Sequence, residues 1–312
     1  MKIVIPDDYQ NCVVALNCYQ KLAGHQVTVY NDTARSTADL VDRFKDADCI
    51  VLTRERTRIT DELLARLPKL KLISQTGKVA NHIDMEACKK HGVTVLEGSG
   101  SGAATAELGM LLILSSLRRF TDEVARMQNG QWQGFVGRQL QGKTLGVLGF
   151  GRIGEQICRL GLAFGAKPLV WGRPSSLEKA TGKGFAVAAS REAFFHTCDI
   201  ISVQLRLGAE TKHYVTAADL ALMKSDAIFV NTSRAELVEE GALHAALKLG
   251  HPGFAAVDVY EEEPLVGGLR HPLQDLPNCL CSPHIGFVER DNYEAYYGTA
   301  FDNINTFFNN HP

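Results

Sequence analysis

The sequence has no hydrophobic run long enough for a membrane-spanning helix. Its longest apolar stretch, around Leu108–Leu117, contains small polar residues and ends at Arg118 and Arg119. That stretch is shorter than the roughly 20 residues that cross a bilayer. The N-terminal MKIVIPDD reaches two acidic residues after a short apolar run, which is typical of a first strand and not of a secretion signal. The sequence therefore predicts a cytoplasmic protein without a membrane partner.

An excess of charge of one sign is also absent. The 312 residues carry 33 basic and 35 acidic side chains, which gives a formal net charge of −2. Proteins that bind nucleic acid through its phosphates are usually basic, so the composition predicts no nucleic-acid partner. The length exceeds that of one ordinary domain and is sufficient for two.

The cysteine spacing of a zinc site is missing as well. None of the eight cysteines belongs to a CxxC pair. We expect the only close pair, Cys279 and Cys281, to project from opposite faces of an extended segment. The sequence therefore predicts no metal site and free thiols in a reducing cytosol.

Short apolar segments alternate with helix-length segments along the whole chain. This alternation, with nearly continuous apolar strands, favours parallel sheets that helices cover on both faces. The fold class is therefore α/β, with two doubly wound parallel-sheet domains. The predicted strands are Lys2–Ile5, Val27–Tyr30, Cys49–Thr53, Leu70–Ser74 and Val93–Leu96 in a first series, and Thr144–Leu148, Pro168–Trp171, Ile200–Gln204, Ala227–Asn231, Ala255–Val259 and Cys279–Ser282 in a second.

A glycine-rich stretch at 98–102 interrupts the alternation and is followed by a long helical pattern over roughly Thr105–Asn129. We place a domain boundary there. The predicted domains are 1–98, 99–284 and a C-terminal segment, 285–312. That last segment contains an amphipathic helix over Glu289–Phe308 that returns to pack on the first domain.

The chemistry-bearing motif is a glycine turn between a strand and a helix. The apolar strand Thr144–Leu148 runs directly into Gly149, Phe150, Gly151, Arg152, Ile153 and Gly154, and residues at helical spacing follow. Glycines permit a tight turn and a close approach of the backbone to a pyrophosphate, and the helix N-terminus supplies free amides. The turn in this context predicts a dinucleotide cofactor.

The end of the next strand favours NADP(H) over NAD(H). An NAD site usually has Asp or Glu at this point to bind the ribose hydroxyls, but here the strand runs into Gly172, Arg173, Pro174, Ser175 and Ser176. Arg173 and the serine hydroxyls are suited to a ribose phosphate. The alternative is that Arg173 is a solvated arginine that stacks on the adenine.

Three later segments place polar residues at the carboxyl ends of predicted strands, where open α/β sheets bind ligands. Arg234 offers a rigid bidentate cation for a carboxylate. His284 is suited to protonate a developing alkoxide. A carboxylate such as Glu263 would orient the imidazole and stabilise its protonated form. Each residue taken singly has a solvated loop position as its alternative.

The segments GFGRIG, VNTSRAELVEEGAL, VDVYEEEP and SPHIG, in this order, resemble the D-2-hydroxyacid dehydrogenase family, which includes glyoxylate/hydroxypyruvate reductase and phosphoglycerate dehydrogenase branches. The resemblance covers essentially the whole chain. It implies a Rossmann cofactor domain inserted in a flavodoxin-like substrate domain that both chain ends build. It also implies a homodimer formed largely through the cofactor domain.

The same resemblance implies roles for individual residues. Arg234 would bind substrate, His284 would be the acid/base and Glu263 its partner. Asp258 would hold the nicotinamide carboxamide, and Thr232 is expected to contact the cofactor.

Substrate contacts are expected from the first domain. Backbone amides near Gly77, Lys78 and Val79 would bind the substrate carboxylate. Arg54 lies in a segment that resembles the phosphoglycerate branch, where an arginine meets a substrate phosphate. Three departures from the family pattern are Ala235, Gln204 and Arg206, and the last two are expected to alter the surroundings of the cofactor.

The predicted function is hydride transfer between NAD(P) and a small 2-keto acid or D-2-hydroxy acid. Glyoxylate, hydroxypyruvate, phenylpyruvate and phosphohydroxypyruvate all fit. The alternatives are a nucleotide-sensing binding protein, like the corepressors that share this fold, and a formate- or phosphite-type dehydrogenase.

Overall fold

The computed structural model describes residues 1–310; His311 and Pro312, which belong to the predicted C-terminal segment, lie outside the described residues. The strands are β1 Lys2–Ile5, β2 Gln26–Val29, β3 Cys49–Leu52, β4 Leu72–Gln75, β5 Thr94–Glu97, β6 Thr144–Leu148, β7 Lys167–Trp171, β8 Ala186–Val187, β9 Ile200–Val203, β10 Ile228–Asn231, β11 Phe254–Val257 and β12 Cys279–Cys281. The α-helices are α1 Thr37–Phe44, α2 Asp61–Leu64, α3 Met85–Lys90, α4 Ala103–Arg118, α5 Phe120–Gln128, α6 Arg152–Ala163, α7 Pro174–Gly182, α8 Arg191–Thr197, α9 Ala217–Ala221, α10 Ala242–Leu249 and α11 Arg290–Asn310. Short 3-10 helices cover Val13–Ala15, Asn17–Leu22, Ala235–Leu237 and Pro272–Asp275.

The chain divides into two compact units. Unit 1 contains Met1–Ser101 and the segment from Val288 onwards, and unit 2 contains Gly102–Phe287. These boundaries fall three residues after the ones that the sequence suggested. Unit 2 is therefore an insertion, in sequence, between the two parts of unit 1.

Unit 1 is a five-stranded parallel sheet in the order β2-β1-β3-β4-β5, which is the flavodoxin-like order. Its central strands β3 and β4 are buried throughout, as expected for a sheet covered on both faces. Helix α11 covers part of it with Tyr297, Phe301 and Ile304, all of them fully buried. Two polar contacts fix the helix, because the hydroxyls of Thr53 and Tyr297 lie 2.7 Å apart and Ser74 donates to the carbonyl of Ala300.

Unit 2 is a seven-stranded parallel sheet in the order β12-β11-β10-β9-β6-β7-β8. The chain starts in the middle at β6, moves outward to β8, and returns to continue outward from β9 on the other side. This is the Rossmann order with one added edge strand. Alternate residues of the strands enter two separate cores; Ile200 lies in one, and Ile201 lies in the other. The strand ends at the β6/β9 reversal are where such sheets bind ligands.

One predicted helix is two helices. The pattern over Thr105–Asn129 indicated a single long helix, but α4 ends at Arg118 and α5 starts at Phe120. Between them Arg119 has φ +49°, a left-handed conformation that helices commonly use to end. Apolar periodicity continues through the break, so the sequence pattern did not reveal it. The two-residue strand β8 was also missed, because it is too short to form a pattern.

The expectation for Cys279 and Cys281 was wrong. Both residues lie on β12, and their sulfur atoms are 3.8 Å apart. Side chains of a strand alternate with a period of two residues, so positions i and i+2 share one face.

Candidate active site

The glycine turn follows β6, and local packing requires two of its glycines. Gly149 has φ +100°, its N–H donates to the carbonyl of Trp171 at 2.7 Å, and a Cβ there would lie 2.7 Å from the carbonyl oxygen of Gln204. A Cβ at Gly154 would collide with the carbonyl oxygen of Gly149. Phe150 is buried against Phe185, with ring centroids 5.4 Å apart. This contact holds the turn against the buried interior. The turn is therefore packed closely against its neighbours at both glycines.

The third glycine serves a different purpose. Gly151 is the N-cap of α6 at φ −90°, and nothing lies within 4 Å of the position where its Cβ would stand. Arg152 and Ile153 then open the helix, whose first N–H groups have no partner within the helix. A helix N-terminus with open space over its cap is a favourable place for a phosphate anion. The residues present thus fit the pyrophosphate of a dinucleotide.

A second feature near the turn, the side chain of Gln204, also fits a bound cofactor. Gln204 donates through Nε2 to the hydroxyls of Ser202 and Thr232, at 3.0 and 3.2 Å. Its Oε1 is buried and has no hydrogen-bond partner among the described residues. A buried acceptor without a donor is costly, so a bound molecule with a hydroxyl or amide group would satisfy it. Thr232, at the end of β10, is nearly fully buried beside it.

The segment after β7 lies against the glycine turn. A Cβ at Gly172 would lie 3.5 Å from Cβ of Ser176 and 3.6 Å from Cα of Gly149. Arg173 is the N-cap of α7, and its carbonyl accepts the N–H of Ser176 at 2.8 Å. The side chains of Arg173 and Ser175 are exposed, and the guanidinium of Arg173 makes no ion pair within residues 1–310. The strand-end position where an NAD site usually has a carboxylate is occupied here by Gly172.

Arg234 stands three residues after the end of β10, at the N-cap of a 3-10 helix. The side chain of Asn231 holds its backbone by donating to the Arg234 carbonyl at 2.8 Å, and accepts the N–H of Ser233 at 3.0 Å. The guanidinium donates to the carbonyl of Ser233 at 2.5 Å. Ala235, where the family usually has glycine, fits without a left-handed conformation.

His284 and Glu263 are in direct contact. Nδ1 of His284 lies 2.5 Å from Oε2 of Glu263, and both side chains are about one quarter exposed, at 26% and 30%. The other oxygen, Oε1, accepts the N–H of Tyr260 at 2.9 Å. One carboxylate oxygen is thus fixed to the backbone while the other fixes the imidazole, which leaves Nε2 as the ring nitrogen for proton transfer. His284 has φ +50°, so the loop presents it in a left-handed conformation that is uncommon outside glycine.

Asp258 anchors the loop that carries His284. It is fully buried after β11, and its carboxylate accepts from the Ser282 hydroxyl at 2.6 Å, the Ile285 N–H at 2.9 Å and the Gly286 N–H at 2.8 Å. Burial raises the pKa of Asp258, while these hydrogen bonds oppose the rise. The sequence suggested a cofactor contact for Asp258 but gave no sign of this anchoring, because the three donors lie 24 to 28 positions away and two of them are backbone amides.

In unit 1, the loops that follow β3 and β4 carry the residues that were expected to contact substrate. Arg54 has φ +55° and lies with its guanidinium 5.3 Å from the ring centre of Tyr296. A Cβ at Gly77 would collide with that guanidinium, so the end of the Arg54 side chain lies directly against Gly77. The structure thus brings Arg54 and Gly77 together.

Glu97 is a residue of this region that the sequence reasoning missed. Its carboxylate pairs with Lys78 at 2.6 Å and accepts the N–H of Val79 at 2.7 Å. The N–H of Val79, which we expected to bind a substrate carboxylate, is therefore already hydrogen-bonded to the carboxylate of Glu97. A substrate would have to displace that carboxylate. The acidic residue at the end of β5 was the available signal.

The chain is similar to known proteins along nearly its whole length. Residues 110–286 match the family described as D-isomer specific 2-hydroxyacid dehydrogenase, NAD binding domain. The crystal structure of phosphoglycerate oxidoreductase from Vibrio cholerae has a TM-score of 0.96 and 49% identity, with 99% of both chains covered. Glyoxylate reductase from Aeropyrum pernix is 34% identical over 86% of this chain and 82% of its own length. D-3-phosphoglycerate dehydrogenase from Methanocaldococcus jannaschii is 35% identical over 84% of this chain, but the match spans only 50% of that longer protein.

Proposed function

We propose that this chain, which belongs to the D-isomer specific 2-hydroxyacid dehydrogenase family, uses Arg234, Glu263 and His284 to reduce a small 2-keto acid. As a member of that family it is an oxidoreductase that transfers a hydride between a nicotinamide cofactor and a small 2-keto or 2-hydroxy acid. The observation that carries the residue assignment is the contact between His284 and Glu263, on a loop that Asp258 anchors.

His284 supplies the proton. Reduction leaves an alkoxide where the keto oxygen was, and an imidazolium at hydrogen-bonding distance protonates it as it forms. Glu263 holds the ring through Nδ1 and stabilises its positive charge, so Nε2 carries the transferred proton. In the oxidative direction the neutral ring accepts the hydroxyl proton from the D-hydroxy acid. The nicotinamide supplies or accepts the hydride when it is bound.

Arg234 binds and polarises the substrate. Its guanidinium offers two parallel N–H donors to a carboxylate or to the keto oxygen. Asn231 fixes its backbone, so the guanidinium starts from a defined position. Asp258 would hold the nicotinamide carboxamide in addition to its own loop.

The cofactor turn carries the dinucleotide, and we favour NADP(H) over NAD(H). Gly149, Phe150, Gly151, Arg152, Ile153 and Gly154 form the pyrophosphate site. Support for the phosphorylated cofactor comes from Gly172 in place of a carboxylate and from the unpaired, exposed Arg173, with Ser175 beside it. A carboxylate here would repel a ribose phosphate, whereas Arg173 attracts it. Thr232 completes the cofactor's surroundings.

The family resemblance also implies substrate contacts within unit 1. The amides at Gly77, Lys78 and Val79 bind the carboxylate once Glu97 yields the Val79 N–H, and Arg54 binds a distal polar or anionic group. Relatives bear the names glyoxylate reductase, hydroxypyruvate reductase and D-3-phosphoglycerate dehydrogenase, so we place the substrate among small 2-keto acids of that size.

We propose that the protein is a cytoplasmic homodimer. All eight cysteines are free thiols, which suits a reducing compartment. The segment after α5 exposes Trp132 to 74% and Val136 completely, and large exposed apolar side chains close together usually mark an interface. The described residues include no helix with the length and hydropathy of a membrane span.

A keto-acid panel assayed with NADPH and NADH tests the function. We expect turnover of at least one small 2-keto acid, and His284→Ala should lower kcat by about 100- to 10,000-fold because it removes the acid–base group. Cofactor binding, followed by fluorescence titration, should be unchanged.

The matched control is His91→Ala, which removes another imidazole paired with a carboxylate, that of Asp61 at 2.7 Å. It should keep wild-type turnover. Near-normal turnover of His284→Ala would refute the assignment. Cofactor binding without turnover of any keto acid would favour the nucleotide-sensing alternative.

A further inference from the structure

Two thiols face each other next to the proposed acid–base loop. Cys279 and Cys281 lie on β12 with their sulfur atoms 3.8 Å apart, and both side chains are half-buried. They occupy one face of the strand, against the core that contains Leu273 and Tyr260. Among the described residues the other cysteines show no sulfur–sulfur contact of this kind.

We propose that Cys279 and Cys281 form an oxidisable dithiol site that a hydroperoxide such as hydrogen peroxide converts into an intrachain disulfide. No role in the hydride-transfer reaction requires these residues. The site is assigned from the sulfur–sulfur distance, the shared strand face and the partial exposure of both thiols.

The two cysteines differ in their chemical roles. A hydrogen bond from Cys279 lowers the pKa of Cys281, against the effect of burial. The same hydrogen bond, together with burial, raises the pKa of Cys279. A thiolate is the nucleophile in peroxide reduction, and a neighbouring thiol then resolves the product. Cys281 is therefore the attacking residue and Cys279 the resolving one.

The chemistry balances in two steps. The Cys281 thiolate attacks one oxygen of hydrogen peroxide, the O–O bond breaks, and a sulfenic acid and hydroxide result. The Cys279 sulfur then attacks the sulfenic sulfur, its proton leaves with the displaced hydroxyl group as water, and the S–S bond forms. The two sulfurs lose two electrons in total, and the peroxide takes them up.

Closure must draw the two cysteines together. Their sulfur atoms have to move from 3.8 Å apart to the roughly 2 Å of an S–S bond. Two residues of a strand span about 6.6 Å between Cα atoms, which is near the long end of the range that disulfides span, about 4.4–6.8 Å. Strand β12 is at the edge of its sheet and pairs only with β11. Shortening the strand therefore disturbs its backbone hydrogen bonds with one neighbour only. A disulfide formed under strain is also more easily reduced, which makes the modification reversible.

The deformation reaches His284 through Ser282. The residue directly after Cys281 donates its N–H to Val257 at 2.9 Å, donates its hydroxyl to Asp258 at 2.6 Å and accepts the Tyr260 hydroxyl at 2.9 Å. These bonds set the start of the loop that positions His284. Misplacement by about 1 Å is enough to cost roughly 100-fold in rate. Oxidation should therefore lower activity, and this part of the inference rests on the proposed role of His284.

Peptide mass measures the site without any assay of turnover. Trypsin releases a peptide, 271–290, that contains both cysteines and no other. Reduced protein is treated with hydrogen peroxide, quenched with catalase, alkylated after denaturation and digested. We expect this peptide to be unalkylated and lighter by two hydrogens, and to take up two alkyl groups after dithiothreitol. A peptide that remains doubly alkylated, or that gains oxygen without the loss of two hydrogens, overturns the proposal.

An activity assay tests whether oxidation of Cys279 and Cys281 affects His284. Wild type, the double variant C279S/C281S and the control C12S, which removes another half-buried thiol, receive the same peroxide treatment. Wild type and C12S should lose at least about tenfold in activity and recover it with dithiothreitol, and the double variant should retain its activity. An equal loss in all three overturns the coupling to His284. If no variant turns over any keto acid even before treatment, the proposed function fails, while the peptide mass still decides the disulfide.

Discussion

At the scale of single residues, the acid–base centre depends on a carboxylate with two separate tasks. One oxygen of Glu263 accepts the Tyr260 N–H, and the other contacts Nδ1 of His284. An amide has one acceptor oxygen where the carboxylate has two, and it carries no charge. It therefore cannot accept from both the Tyr260 N–H and Nδ1 of His284, and it does not stabilise the protonated ring.

We therefore expect Glu263→Gln to lower kcat by about 100-fold, the lower end of the usual range for acid–base groups. Steady-state kinetics at constant pH measures the effect. Glu262→Gln is the control, because Glu262 is the exposed neighbour in the same acidic run. Equal effects of both substitutions would mean that general charge, and not the contact with His284, matters.

The proposed preference for NADP(H) also depends on a single side chain, that of Arg173. Loss of a charge-assisted hydrogen bond to a ribose phosphate is worth roughly 1.5–3 kcal/mol. Arg173→Ala should therefore lower the ratio of kcat/KM for NADPH to that for NADH by at least about tenfold. Arg159→Ala, which removes an exposed arginine paired with Glu155, should leave the ratio unchanged. A wild-type preference for NADH would contradict the assignment outright.

The sequence reached several of these residues because their chemistry is local. The glycine turn and the acidic run are continuous segments, and reasoning from the residues found them. The partners of Asp258 and the carboxylate of Glu97 on the Val79 amide depend on loops that are distant in sequence, so no spacing indicated them. The shared face of Cys279 and Cys281, in contrast, follows from the two-residue period of a strand and was predictable from the sequence.

At the scale of elements, two glycines in the turn before helix α6 have different purposes, one in folding and the other in cofactor binding. Gly154 is needed by the protein itself, because a Cβ there meets the Gly149 carbonyl oxygen. Gly151 is not needed for packing, because nothing of the protein lies within 4 Å of its Cβ position.

We expect Gly154→Ala to lower the melting temperature and Gly151→Ala to leave it nearly unchanged. Gly151→Ala should instead raise the Kd of the dinucleotide by about tenfold or more, because its methyl group stands where the pyrophosphate approaches the backbone. Thermal unfolding and fluorescence titration measure the two effects. Unaltered cofactor affinity in Gly151→Ala would place the pyrophosphate elsewhere.

The elements themselves followed from apolar periodicity. All strands of the first series and nearly all of the second lie within about two residues of their predicted positions, because buried parallel strands are continuous apolar runs. The break at Arg119 was not predictable in this way, since a single left-handed residue changes backbone direction without interrupting the apolar pattern.

At the scale of the whole molecule, self-association is the property open to the simplest test. The exposed Trp132 and Val136 belong to the unit that the family resemblance assigned to the dimer interface. Burial of such side chains between two copies supplies roughly 1.5–3 kcal/mol for each large apolar residue.

Val136→Glu should therefore shift the protein from dimer to monomer in light scattering coupled to size-exclusion chromatography. Leu249→Glu is the matched control, because Leu249 is 80% exposed at the end of α10 and outside that segment. A monomeric wild type, or the same mass for wild type and Val136→Glu, would rule out this segment as the interface.

The position of helix α11 has a consequence for synthesis. Its buried face belongs to unit 1, yet the ribosome makes it only after the whole of Gly102–Phe287. At the usual elongation rate, about 5–20 residues per second, the first sheet waits on the order of ten seconds or longer for Tyr297, Phe301 and Ile304. During that interval its apolar surface is uncovered, whereas all seven strands of unit 2 have already been synthesised. Nascent chains stalled before Val288 should consequently bind chaperones through their earliest residues.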